Sequence, residues 1–168
     1  YLLGKDETSC IDIDECSKPV DYCHHQCLNT AGSYRCTCRF GYDLLFDGRS
    51  CIGRPCFPIH KPLNGMKKCS GYRMDDRCNF GCLPGYNLIG SGSRTCGPDK
   101  QWTGNDTKCK IIYCGSPTVP SNGFIYSPCT THYGSQCPVG CNDGYFTDEI
   151  MLTCAAIGSW QPSNVSCK

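Results

Sequence analysis

The sequence predicts small, disulfide-rich all-β modules arranged in an elongated tandem. Three observations lead there: 19 cysteines in 168 residues, a cysteine spacing that occurs twice, and no long stretch with helical periodicity. Cysteine at about a ninth of the chain exceeds the roughly 8–10% that marks a disulfide scaffold. One cysteine, Cys10, stands apart from three groups of six. These are Cys16, Cys23, Cys27, Cys36, Cys38 and Cys51; Cys56, Cys69, Cys78, Cys82, Cys96 and Cys109; and Cys114, Cys129, Cys137, Cys141, Cys154 and Cys167. The groups span 35, 53 and 53 residues. Segments this short bury too little apolar surface to offset chain entropy, so they need cross-links or a metal. Disulfides persist in oxidising compartments, which places the chain outside the cell, secreted or on the outer face of the plasma membrane. Zinc would call for C-x2-C pairs, and the sequence contains none.

The first element is residues 1–10. Tyr1, Leu3, Asp6, Ser9 and Cys10 match Tyr42, Leu44, Asp47, Ser50 and Cys51 at the same offsets, and Ile follows each cysteine. Residues 1–10 therefore read as the tail of another copy of the first module, with Cys10 parted from its partner. Residues 1–9 are polar and charged rather than a signal peptide, as expected of a processed or excised fragment. No stretch approaches 18 apolar residues, so direct membrane insertion is not expected.

Residues 11–51 form the next element, residues 52–109 the third and residues 110–168 the fourth. The last two are an internal repeat, with cysteine spacings of 13, 9, 4, 14, 13 and of 15, 8, 4, 13, 13. Asn64-Gly65 matches Asn122-Gly123, Gly85-Tyr86 matches Gly144-Tyr145, and Trp102 and Trp160 each lie six residues after the fifth cysteine. Such Asn-Gly and Gly-Tyr pairs mark turns between short strands. The linkers 52–55 and 110–113 have four residues each and no Gly/Ser run, which favours a semi-rigid rod. Charge is uneven: residues 1–51 carry −3, residues 52–113 carry ten Lys/Arg against four Asp for +6, and residues 114–168 carry −2.

Asp12-Ile13-Asp14-Glu15-Cys16, then Cys27-Leu28-Asn29-Thr30-Ala31-Gly32-Ser33-Tyr34-Arg35-Cys36-Thr37-Cys38, then Gly41-Tyr42 and Cys51, resembles a calcium-binding EGF-like module. The resemblance implies pairing of Cys16 with Cys27, Cys23 with Cys36 and Cys38 with Cys51. It also implies a calcium ion held by side-chain oxygens of Asp12, Glu15 and Asn29 and carbonyls of Ile13, Thr30 and Ser33. Two carboxylates, one amide and three carbonyls suit calcium, which takes six to eight oxygens in flexible geometry. In tandem modules of this kind an aromatic of the upstream module packs on the downstream turn, here Tyr1 against Ala31-Gly32, and the ion stiffens the joint. The run Cys27-x-Asn29-x4-Tyr34 also resembles an asparagine β-hydroxylation signal.

Residues 56–109 and 114–167 resemble sushi modules, the complement control protein repeats. The resemblance pairs Cys56 with Cys96 and Cys82 with Cys109, and in the second copy Cys114 with Cys154 and Cys141 with Cys167. The additional Cys69 and Cys78, and Cys129 and Cys137, pair within each copy, as in six-cysteine modules of selectin type. Asn105-Asp106-Thr107 and Asn164-Val165-Ser166 are N-glycosylation sequons just before each last cysteine. Lys67, Lys68, Arg73 and Arg77, with Lys61 near, surround the Cys69 and Cys78 loop. This basic group is a candidate site for sulfated glycosaminoglycan or an acidic protein, against an ordinary solvated face partly compensated by Asp75 and Asp76. His24-His25 reads as exposed loop, and Trp102 and Trp160 as core.

No nucleophile and base share a motif, so no enzyme is expected. Nucleic acid is excluded by compartment and by the lack of aromatic-basic interleaving. The resemblance implies binding and spacing in a modular extracellular protein of matrix or adhesion type, like polydom-like or sushi-domain-containing proteins. The alternatives are the non-catalytic arm of a modular serine protease, in which a CUB module usually intervenes, and a complement regulator, which a calcium EGF module argues against.

Overall fold

The computed structural model describes residues 1–4, 8–17 and 22–168. Within the amino-terminal stretch read as a module tail, residues 5–7 lie outside those described. The chain packs as two compact units. The first is Tyr1–Ile59 with Cys69–Cys78 and Arg94–Thr103; the second is His60–Lys68 with Asn79–Ser93 and Gly104–Lys168. Neither border falls in residues 52–55 or 110–113.

In the first unit, strand β1 (Leu2–Leu3) pairs antiparallel with β2 (Cys10–Ile11). A 3-10 turn, Glu15–Ser17, follows. Asp14 starts this turn: its carboxylate accepts from the Cys16 N–H at 2.9 Å and its carbonyl from the Ser17 hydroxyl at 2.7 Å. Short polar side chains hold local backbone in this way. Strands β3 (Gln26–Thr30) and β4 (Ser33–Thr37) form a hairpin closed by Ala31 and Gly32. Gly32 has φ +78°, a conformation that glycine adopts without steric cost. Strands β5 (Tyr42–Leu44) and β6 (Cys51–Gly53) form a second hairpin. Disulfides Cys16–Cys27, Cys23–Cys36 and Cys38–Cys51 tie these pieces together.

Further along lie β7 (Gly65–Cys69), β8 (Arg77–Cys82), β9 (Tyr86–Ile89), β10 (Ser93–Thr95) and β11 (Lys108–Ile111). They make a three-stranded sheet in the order β10-β8-β7 and a two-stranded sheet of β9 and β11. Strands β12 (Gly123–Ile125), β13 (Gln136–Cys141), β14 (Met151–Cys154) and β15 (Trp160–Gln161) form one sheet in chain order. Alternation decides which side chains go inside. In β8, Cys78 and Phe80 are buried while Arg77 and Asn79 are exposed. In β13, Cys137 and Val139 are buried while Gln136 and Pro138 are exposed.

Cys137, Val139, Leu152, Cys154 and Trp160 form one buried cluster. Its three non-cysteine members contribute about 1.5–3 kcal/mol each by burial. Disulfides contribute about 2–4 kcal/mol each, so Cys114–Cys154, Cys129–Cys137 and Cys141–Cys167 weigh at least as much as the apolar core. The other copy is closed by Cys56–Cys96, Cys69–Cys78 and Cys82–Cys109. Both tryptophans are buried and spend their indole N–H alike: Trp102 Nε1 donates to the Phe57 carbonyl at 2.8 Å, and Trp160 Nε1 to the Gly115 carbonyl at 2.9 Å.

Candidate calcium site

The β3–β4 hairpin brings Asn29 and Ser33 to one end, with Thr30 paired to Ser33 across the turn. Asp12 reaches this end from the segment after β2. One of its oxygens accepts from the Gly32 N–H at 2.6 Å, and the other from Asn29 Nδ2 at 2.8 Å. These two bonds hold its carboxyl below the usual carboxylate range, the Gly32 bond first. The Thr30 hydroxyl donates to the Ser33 carbonyl at 2.8 Å, which fixes the turn backbone.

Two oxygens stand out. Glu15 Oε2 and Asn29 Oδ1 are buried and have no hydrogen-bond partner among the described residues. A buried acceptor without a partner costs about 1–3 kcal/mol, and more when it is charged. Since Asn29 gives its Nδ2 to Asp12, its carbonyl oxygen is left to face something else. A hard divalent cation ligated by Glu15 Oε2 and Asn29 Oδ1 would remove both penalties, and carboxylate and amide oxygens are the donors that calcium takes. Ile13 sits between Asp12 and Glu15, half-buried like both of them.

The Tyr1 ring lies over Gly32. A methyl group built at Gly32 would come within 2.7 Å of Tyr1 Cε2. Leu2 pairs with Ile11 and Leu3 with Cys10, so the segment carrying Tyr1 is tied by backbone to the segment carrying Asp12. Cys10 is exposed and unbridged.

A second cluster of ligand-type atoms, His24, His25 and Cys51, lies within 4.8 Å. It makes a poor metal site. Cys51 is bridged to Cys38, and His24 Nδ1 lies 3.1 Å from the Cys51 carbonyl oxygen. His25 Nδ1 accepts from the Arg39 N–H at 3.2 Å, and its ring meets Tyr42 edge-on with centroids 4.6 Å apart. Burial, then the nearby Arg39 charge, lowers the His25 pKa. Both histidines lie in a loop and His24 is exposed, as the sequence suggests; His25 is half-buried and packs beside β5, a contact with no motif to reveal it.

Among the basic residues, Arg73 donates from Nη1 to the Gly53 carbonyl at 3.1 Å. Lys61, Lys68 and Arg77 are exposed and Lys67 is half-buried. Asn105 and Asn164 are both exposed. The Thr107 hydroxyl of the first sequon donates to the Ser91 carbonyl at 2.5 Å, while Ser166 of the second is exposed and bridges Ser121 through the backbone.

Comparison with known proteins bears on both parts of the chain. The calcium-binding EGF domain family matches residues 12–56, and the sushi repeat (SCR repeat) family matches residues 56–109. The rat protein "Sushi, von Willebrand factor type A, EGF and pentraxin domain-containing protein 1" is 35% identical over 163 residues, 95% of this chain. Mouse P-selectin is 29% identical over 152 residues, 85% of this chain and 19% of its own length. Protein lev-9 of Caenorhabditis elegans is 28% identical over 130 residues, 77% of this chain and 20% of its own. The chain spans only 4% of the length of the rat protein and of its mouse counterpart.

Proposed function

Since the chain is a calcium-binding EGF module followed by two disulfide-bonded sushi-like modules, we propose that it is a calcium-stiffened spacer and docking segment in cell–matrix or cell–cell adhesion. It is extracellular and non-catalytic, and its general role is that of an adhesion module. The protein-binding partner belongs to the same compartment. Calcium, when bound, supplies a fixed positive charge that gathers oxygens from three separate segments.

The observation that carries the reading is the pair of buried oxygens without a partner among the described residues, Glu15 Oε2 and Asn29 Oδ1, the latter on the side chain that donates to the Asp12 carboxylate. The proposed ligands are the side chains of Asp12, Glu15 and Asn29 and the carbonyls of Ile13, Thr30 and Ser33. Asp12 also grips the Gly32 N–H, and Gly32 carries the Tyr1 ring. An ion at this place therefore couples the turn to the β1–β2 segment mechanically. Extracellular modules bind calcium in the roughly 10⁻⁴–10⁻³ M range, so titration should cover that interval. Amide resonances of Asp12, Glu15, Asn29 and Gly32 should shift together, with those of Tyr1 and Leu2 following. Absence of any response at millimolar calcium overturns the reading.

A further inference from the structure

Two joints in this chain are built on one plan. In the first, the Arg54 N–H donates to the Gly41 carbonyl at 2.8 Å, and the Met74 N–H donates to the Arg54 carbonyl at 2.8 Å. In the second, the Ile112 N–H donates to the Gly85 carbonyl at 2.9 Å, and the Tyr133 N–H donates to the Ile112 carbonyl at 2.9 Å. Arg54 and Ile112 each stand two residues before the first cysteine of a sushi module. Met74 and Tyr133 each stand four residues before the second cysteine of the extra cross-linked loop. Pro55 bridges Arg73 in one joint as Tyr113 bridges His132 in the other.

The receiving element is also the same. It is a Gly-Tyr turn whose tyrosine opens a strand, Tyr42 in β5 and Tyr86 in β9. Gly41 and Gly85 have φ +93° and +85° and both are buried. A Cβ on Gly41 would press on Pro98 and on Met74 Sδ, at 2.9 and 3.1 Å; one on Gly85 would overlap the Tyr133 ring. The loops closed by Cys69–Cys78 and Cys129–Cys137 thus each cover the Gly-Tyr turn of the preceding module.

A third copy of this turn exists at Gly144-Tyr145. Its backbone repeats the others: φ at Gly144 is +86°, and the Tyr145 N–H donates to the Asn142 carbonyl as that of Tyr86 donates to Leu83. Phe146 and Lys168 exchange both N–H bonds, at 3.0 and 2.9 Å, as Asn87 and Lys110 pair in β9–β11. Here, however, Gly144 is exposed, and a Cβ on it would meet nothing within 4 Å. Tyr145 is 46% and Phe146 70% exposed. Phe146, Asp148 and Lys168 line a 220 Å³ hollow. Their counterparts Asn87, Ile89 and Lys110 line a 340 Å³ cavity that Ala156 and Ile157 of the next module complete.

We propose that the Gly144–Tyr145 face is a docking surface for a six-cysteine sushi module attached in the register of the second joint. Such a module donates the N–H of the residue two before its first cysteine to the Gly144 carbonyl. It lays a large apolar residue of its cross-linked loop, the equivalent of Met74 or Tyr133, over Gly144 and Tyr145. Exposed aromatic side chains beside an open glycine are the surface such a loop buries.

The test appends residues 111–168 directly after Lys168 of the full chain, so that Lys168 takes the place of Lys110. Amide hydrogen exchange is read at the appended copy of Ile112 and at Tyr133 of the appended loop. Both should exchange at least about tenfold more slowly than unprotected amides. Gly144→Asn should abolish that protection, since asparagine tolerates positive φ while its side chain blocks the approach. Gly85→Asn should do the same at the existing joint. A second fusion, carrying residues 53–109 in place of 111–168, covers failure of the first to fold, and non-reducing peptide mapping verifies the appended disulfides. Unprotected amides at the new joint, in a fusion whose appended disulfides are closed, overturn the proposal. So does protection that Gly144→Asn leaves intact.

Discussion

The carboxylate of Asp12 accepts the N–H of Gly32 at 2.6 Å across twenty residues of sequence. One side chain thereby fixes the tip of a hairpin to the segment that leads into it, and its other oxygen fixes Asn29. Asp12→Ala removes both bonds and one proposed metal oxygen. Calcium affinity should fall at least about tenfold, corresponding to roughly 1.4 kcal/mol. Isothermal titration of the variant at millimolar calcium measures it directly. Unchanged affinity would show that the ion sits elsewhere.

Gly32→Ala should loosen the contact with Tyr1 without touching any oxygen of the site. Alanine at φ +78° is strained, and its methyl would press on the Tyr1 ring. The expected cost is about 1 kcal/mol or more. Nuclear Overhauser contacts between Tyr1 and residue 32 should weaken, while Tyr1→Ala together with Gly32→Ala should cost less than the sum of the two. Additive losses would mean the ring contact carries no energy.

Around the first joint, the Arg54 and Asp43 side chains form an ion pair at 2.7 Å, but they are 36% and 56% exposed. Exposed pairs contribute about 0–1 kcal/mol. The backbone approach at Gly41 is buried and admits no Cβ. Gly41→Ala should therefore destabilise more than Asp43→Ala, by denaturant melts of the two variants. The reverse order would place the strength of the joint in the charges. Tyr42, whose hydroxyl donates to Asp75, gains a raised phenol pKa from that bond. Tyr42→Phe removes the bond while keeping the ring beside His25.

Trp102→Phe and Trp160→Phe should each cost about 1–3 kcal/mol, because the Phe57 and Gly115 carbonyls lose their donors. The two indoles donate to different carbonyls, so the double variant should be additive within about 0.5 kcal/mol. Calorimetry of the three variants decides this.

Asp47 holds the turn that links β5 to β6, accepting the N–H groups of Arg49 and Ser50 at 2.9 Å each. Hydrogen bonding from Ser50, then from Arg49, lowers its pKa from 3.8 to about 2. A carboxylate depressed in the folded state favours folding above its unfolded pKa, and that contribution fades as pH falls through the folded one. Turn order should thus be constant above about pH 4 and decline towards pH 2. Asp47→Asn should flatten this change in hydrogen exchange of residues 45–50. A wild-type turn that opens already at pH 5 would contradict it.

Much of this architecture is legible from cysteine spacing because disulfides, rather than apolar periodicity, hold such modules. The meeting of Asp12 with the hairpin at Asn29 and Gly32 follows from the resemblance to a calcium-binding EGF-like module, which had named Asp12 and Asn29 for one site. The joints are not legible. Residues 52–55 read as a linker, yet Ile52 and Gly53 are strand residues of β6 paired with Asp43 and Tyr42. Bonds such as Arg54 N–H to Gly41 carbonyl use only backbone, which leaves no side-chain signature. The Gly-Tyr pair present in all three modules was the available signal, but on sequence alone it marks only a turn.

The cross-links also set how far the chain can be stretched. Between Cys56 and Cys109, the shortest covalent route crosses to Cys96 and then follows 13 residues, not 53. Between Cys114 and Cys167 it crosses to Cys154 and again follows 13 residues. At about 3.5 Å per residue, a fully unravelled sushi module under tension lengthens to roughly 45 Å, against about 185 Å without its bridges. Closed bridges thus cap the reach of each sushi module at about a quarter of its chain length, whatever pulls on its ends.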